Sequence, residues 1–150
     1  MFGTIVVGTD GSGTSTDAVE QAAELARLTG STLHLVRAVR LPSLAITPAP
    51  DALGAVAVGV GAGDVEALAS VQADLDDLAA RLESGGTKVV THAVPEPSPA
   101  RALLQVARAE EAGLVVVGNR GMRGVRRILG SVPNTVAHEA DCAVMIVHTC

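Results

Sequence analysis

Aromatic side chains are almost missing from this chain: Phe2 is the sole one in 150 residues, with no Trp and no Tyr. A protein so composed has no platform on which successive bases can stack, the usual route to sequence-tolerant binding of RNA or single-stranded DNA. A basic excess is lacking too. Eleven Lys and Arg stand against 16 Asp and Glu, a formal charge of -5, so nothing draws the whole molecule to a phosphate backbone. Nucleic acid is therefore not an expected partner. The only cysteines are Cys142 and Cys150. They form neither a CxxC pair nor a dense oxidised framework, which fits a reduced, cytoplasmic setting. The first residues, MFGTIVVGTDG, lack the basic leader and long apolar segment of an export signal. The most apolar low-complexity run, ALGAVAVGVGAG at 52–63, is far shorter than the roughly 20 residues a membrane helix needs. No membrane association is expected.

What is present is an aliphatic chain, 48% hydrophobic, whose core must be Val, Leu, Ile and Ala. Its length suits one domain over residues 1–150. TIVVG at 4–8 is β-branched and ends in Thr9, Asp10, Gly11, Ser12 and Gly13, a buried strand feeding a polar turn. Residues 14–30 place Val19, Ala22, Ala23 and Ala26 at helical spacing, with Thr14 or Ser15 to cap the start and Gly30 to close the end. A second strand is expected over 31–39, giving a βαβ unit. Residues 41–63 hold Pro42, Pro48 and Pro50 among small apolar residues, have no period, and are expected to be a variable, partly mobile insertion. Helical spacing returns with Val65, Leu68, Val71, Leu75, Leu78 and Leu82 and should end near Gly85. A strand over 87–94, a helix over 100–113, the continuous apolar strand LVVVG at 114–118, a helix over 132–140 with Pro133 in its first turn, and a buried strand over 142–147 complete the pattern. The expected fold is α/β: a five-stranded parallel sheet with helices on both faces, a Rossmann-like open sandwich. Its ligand edge lies where the loops after Gly8, Val39 and Gly118 gather.

Two constellations at that edge carry chemistry. Asp10, just beyond the first strand, has two readings: an acceptor for a ribose diol, or a turn-forming and capping residue. The stretch 118–131, GNRGMRGVRRILGS, combines glycines that let backbone amides approach an anion with Ser131 at the start of the last helix. It also holds Arg120, Arg123, Arg126 and Arg127, four of the chain's ten arginines. A phosphate cradle and a solvated basic connection both fit that composition. Neither GxGxxG nor GxxxxGK[ST] occurs, so the dinucleotide fingerprint and the common P-loop are absent.

VVGTDGS at the front, VVVGNRG in the last third and GSVPNTVAHEADCAVMIV at the end resemble the universal stress protein family over nearly the whole chain except 41–63. The nucleotide-binding members carry glycine, two residues, glycine, nine residues, glycine, then Ser or Thr. Here Gly118, Asn119, Arg120 and Gly121 match the opening, and Gly130 and Ser131 the close, but eight residues rather than nine separate Gly121 from Gly130. The resemblance implies that Asp10 holds ribose hydroxyls and that backbone around Thr9 and Ala38 borders adenine. It further implies that Gly118, Gly121, Gly130 and Ser131 surround phosphates, with Arg120 and Val132 in the same set. The implied ligand is ATP or a related adenine nucleotide, with Mg2+ accompanying ATP. The ending MIVHT is similar to members that favour cyclic AMP, an alternative ligand. A non-binding interaction module and a slow ATP hydrolase are further alternatives; no catalytic residue is assigned. The resemblance also implies a homodimer through the last strand, whose unpaired edge would otherwise invite aggregation.

Other polar residues read as structural. His34, His92, His138 and His148 have no metal-ligand spacing and are expected as core or edge histidines, so no metal site is assigned. Asp74, Asp76 and Asp77 are expected to form a solvated helix face. Ser12 and Ser98 lack a GxSxG elbow.

Overall fold

A computed structural model describes residues 2–41, 61–119 and 131–148. Nine elements alternate along the described chain: β1 (Thr4–Gly8), α1 (Gly13–Thr29), β2 (Thr32–Ala38), α2 (Ala62–Glu83), β3 (Val89–Val94), α3 (Pro99–Ala109), β4 (Leu114–Gly118), α4 (Val132–Glu139) and β5 (Ala143–Val147). The strands pair in parallel in the order β3-β2-β1-β4-β5. From β1 the chain winds outward to β2 and β3, then returns to lay β4 on the other side of β1. The reversal leaves a crevice beyond the carboxyl ends of β1 and β4.

Strand alternation decides which helices cover which face. Ile5, Val7, Leu33, Leu35, Leu114 and Val116 point to one side, where Val19, Ala22 and Ala26 of α1 and Leu75 of α2 meet them. Val6, Val36, Val115 and Val117 point to the other, against Leu103, Val106 and Ala107 of α3 and Val136 of α4. Small residues on the helices let them lie close to the aliphatic sheet. Each fully buried Val, Leu or Ile contributes about 1.5–3 kcal/mol by leaving water.

The helix ends differ from the expected ones for local reasons. Ser12, not Thr14 or Ser15, caps α1, because its backbone is extended at φ -81° and ψ 157°, and its hydroxyl accepts the Ser15 amide. Gly30 closes the helix in the left-handed region at φ 66°, as its position suggested. Helix α3 stops at Ala109 rather than reaching 113. There Glu111 turns to φ 49°, and the Ala112 amide reaches back to the Ala107 carbonyl at 2.8 Å while Glu111 N–H bonds Arg108 O at 3.3 Å. That pair of bonds is the Schellman arrangement, made here without glycine.

Helix α2 begins at Ala62, inside the segment expected to be insertion, because the Asp64 carboxylate accepts the Gly61 amide at 3.0 Å and sets the first turn. Positions 42–60 lie outside the described residues. The edge strands also depart from expectation. β5 starts at Ala143 and is buried only at Val147, with Ile146 44% exposed, so Cys142 does not open a buried strand. No described helix is long and apolar enough to cross a membrane.

Candidate functional site

The β1 strand ends in Gly8, where a larger residue would have to displace a leucine side chain. A Cβ there would stand 3.1 Å from Cδ1 of Leu103, which packs across the strand end from α3. Beyond it the Thr9 amide bonds the Val36 carbonyl at 2.9 Å, extending the β1–β2 ladder by one step. The chain then turns sharply. Ser12 N–H donates to Asp10 Oδ1 at 2.8 Å, and Gly11 N–H donates to Thr9 Oγ1 at 3.2 Å, with Gly11 itself at φ 79°. This Asx turn accounts for the capping reading of Asp10. Asp10 is also exposed at the rim, where it faces solvent.

A cavity of about 360 Å³ opens at this edge. Its floor is made of strand ends, Gly8, Val36, Val117 and Gly118; Ala38 and Leu103 add aliphatic walls, and Thr9 and Asp10 form a polar rim. Val132 and Pro133, the first residues of α4, close the far side. The preceding Ser131 caps that helix, its hydroxyl accepting Asn134 N–H at 3.4 Å. The positive end of the α4 dipole is thus turned toward the cavity, where an anionic group gains from it.

Of the residues singled out from sequence, Thr9, Asp10, Ala38, Gly118 and Val132 line this one cavity, and Ser131 stands beside it. Arg120, Gly121 and Gly130 lie outside the described residues, as does most of the arginine-rich stretch. Ser12, part of the polar turn singled out after the first strand, lines the cavity too, whereas sequence reasoning missed Ser15, Pro99 and, above all, Arg37. Arg37 ion-pairs with Asp74 of α2 at 3.6 Å, tying the end of β2 to that helix. The clue was positional: Arg37 is the one charged residue of its strand and stands next to its carboxyl end.

Two further expectations hold and gain detail from the fold. The α2 acids are exposed, but Asp74 meets Arg37, and Asp76 accepts Gln72 Nε2 at 2.8 Å and Thr91 Oγ1 at 3.0 Å. Asp74 and Asp76 thus link the solvated helix face to β2 and β3, and Asp77 is exposed beside them. The histidines are not isolated either. Parallel pairing sets His34 opposite Val90 and Val36 opposite His92. The two rings then meet with His34 Nδ1 2.8 Å from His92 Nε2. Burial holds both imidazoles below their usual pKa; mutual repulsion adds to this for His34, and Glu110 opposes it for both.

Comparison with known proteins places this geometry among relatives. The family model described as "Universal stress protein family" matches residues 1–148. Universal stress protein Rv1636 of Mycobacterium tuberculosis is 36% identical over 149 residues, covering 99% of this chain and 97% of that protein. A universal stress protein crystallised in complex with cAMP superposes with a TM-score of 0.75 at 30% identity, covering 99% of this chain and 98% of that one. A universal stress protein from Archaeoglobus fulgidus in complex with dAMP shares the fold, with a TM-score of 0.64 at 21% identity and 95% coverage of each chain.

Proposed function

The chain belongs to the universal stress protein family, and from that premise we propose that it is a regulatory protein that binds an adenine nucleotide in the β1/β4 crevice, with cyclic AMP as the leading ligand. The observation that carries this reading is the cavity itself. Its volume of about 360 Å³ falls in the usual small-molecule range of roughly 300–1,000 Å³, and its make-up suits the three parts of such a ligand.

Val36, Ala38 and Leu103 offer an aliphatic slot for a flat base, whose polar edge would be read by backbone near Thr9 and Ala38. Asp10 at the rim would accept from ribose hydroxyl. Gly118, Ser131, Val132 and the α4 amino end would receive phosphate, together with Arg120, Gly121 and Gly130. A cyclic monophosphate bears one negative charge and needs only a short row of amides, which agrees with a glycine spacing one residue below the family pattern. The likeness to the protein crystallised with cAMP points the same way.

ATP is the second reading, favoured by the four arginines between 120 and 127. Among the described lining residues Asp10 is the one carboxylate. Mg2+ would therefore arrive on the phosphates and keep most of its waters. No base for hydrolysis is assigned, so occupancy rather than turnover would be the signal, in a cytoplasmic setting.

A homodimer through β5 belongs to the same proposal. That strand is at the sheet edge and leaves Ile146 44% exposed, so a second copy across a twofold axis would cover both its backbone and its apolar face. Calorimetric titration with cyclic AMP, AMP, ADP and ATP tests the ligand. Binding of cyclic AMP at least as tight as ATP supports the leading reading, tighter ATP supports the second, and no heat from any of them below millimolar concentration overturns both.

A further inference from the structure

His34 and His92 are 58 positions apart in sequence, and neither takes part in the crevice. His34 is 5% exposed, in the middle of the β1–β2–β3 region, while His92 is half-buried on the edge strand. Their near-parallel rings, 16° apart with centroids 5.1 Å apart, meet nitrogen to nitrogen. Glu110, the cap at the end of α3, closes the group: one nitrogen of each ring and a Glu110 carboxylate oxygen lie within 4.8 Å of one another.

We infer that His34, His92 and Glu110 form a binding site for one divalent transition-metal ion of the Zn2+ class, on the α3 side of the sheet. Two imidazoles and a carboxylate are a recurrent zinc donor set, with a fourth position left to water. Bound at about 2.0–2.1 Å in tetrahedral geometry, two ring nitrogens stand about 3.3–3.4 Å apart. The present 2.8 Å would open by about half an ångström, and the rings, which now aim these nitrogens at each other, would each turn by roughly 35° so that both lone pairs converge on the ion at the tetrahedral angle.

Binding requires one further adjustment. In the hydrogen-bonded pair one of the facing nitrogens carries the shared proton, and that proton must move to the same ring's other nitrogen. Both facing lone pairs are then free for the metal, and the pair's proton count is unchanged. The third donor is at the surface. Glu110 is exposed at the carboxyl end of α3, where the helix dipole also favours a cation.

Hard cations are disfavoured by the same chemistry, since Mg2+ prefers an octahedral shell of oxygens. Neither histidine lines the crevice, although His92 pairs opposite Val36 of its floor, and the carboxylate donor is at the far end of α3. Pro99 at the amino end of α3 lines the cavity and Glu110 follows its carboxyl end, and a helix of 11 residues is about 16 Å long at about 1.5 Å per residue.

The test is titration of chelator-stripped full-length protein with ZnCl2 by calorimetry and with CoCl2 by visible absorption, with MgCl2 as control. One equivalent of Zn2+ per chain and an intense tetrahedral Co2+ spectrum are expected. His92→Ala should weaken Zn2+ at least a hundredfold and abolish that spectrum. Glu110→Gln, on an exposed position that leaves the fold alone, should weaken binding about tenfold. Zn2+ binding unchanged in both variants would assign the metal to other groups, such as His138, His148 or the cysteines, and overturn the proposal. Failure of the wild-type protein to bind Zn2+ below millimolar concentration overturns it equally. Neither result depends on whether the crevice takes a nucleotide.

Discussion

Arg37 lies directly over Gly11: a Cβ added to that glycine would stand 3.1 Å from Arg37 Nη1. Gly11 also occupies φ 79°, a conformation that costs an L-residue about 1–2 kcal/mol. Gly11→Ala should therefore lower stability by about that amount and push the guanidinium away from Asp74. In the same variant the Asp10 turn is displaced, so nucleotide affinity should fall as well. Urea denaturation and calorimetry on one preparation check both effects; an unchanged midpoint would show that the turn relaxes freely.

Asp10 has two tasks in this scheme, and two substitutions separate them. Asp10→Asn keeps an oxygen for the Ser12 amide, now 2.8 Å from Oδ1, but loses the charge. Asp10→Ala loses both. Nucleotide affinity should drop about tenfold for Asn and further for Ala, while only Ala lowers stability, by about 0.5–1.5 kcal/mol for the lost hydrogen bond. Equal stability of the two variants would show that the Asx turn contributes nothing measurable.

Gly113 tests the packing of the opposite end of the sheet. A Cβ at this position would lie 2.5 Å from the Phe2 carbonyl oxygen and 3.1 Å from its Cα. Backbone, unlike a side-chain tip, cannot swing aside. Gly113→Ala should cost about 1–3 kcal/mol, read as a lower denaturation midpoint, with ligand affinity unaltered because the crevice is at the other end of β4.

The β5 edge predicts an assembly. Ile146→Lys places a charge on the exposed face of that strand, 44% accessible in the single chain. Light scattering should then report a monomer for this variant and a dimer for the wild-type protein. A wild-type monomer at micromolar concentration would remove the proposed interface.

Cys142 should be a sluggish thiol. Burial, with Asp141 nearby, raises its pKa above the usual value, against a smaller opposing backbone hydrogen bond to Val115. A raised pKa leaves less thiolate at any given pH below it. In a Cys150→Ser background, alkylation at pH 8 should be slower than that of a small free thiol, and the gap should narrow as pH rises. A rate equal to the free thiol would mean that the group is fully solvated.

Near-continuous apolar strands such as LVVVG, separated by helices with small residues at three and four spacing, determine an α/β sheet by themselves, because parallel strands are buried on both faces. The turn chemistry of Asp10 and the cap at Ser131 were legible for the same reason: both are local, set by residues within three or four positions. Helix ends were less legible, since whether Ser12 or Ser15 caps α1 depends on backbone angles that several nearby hydroxyls could satisfy. Strand order lay beyond the sequence entirely. Only the sheet order β3-β2-β1-β4-β5 put Thr9, Ala38, Gly118 and Val132 around one cavity, set Arg37 over Gly11, and brought His34 to His92. Those contacts join residues tens of positions apart, and no local pattern encodes which strand lies beside which; that choice belongs to the packing of the whole chain.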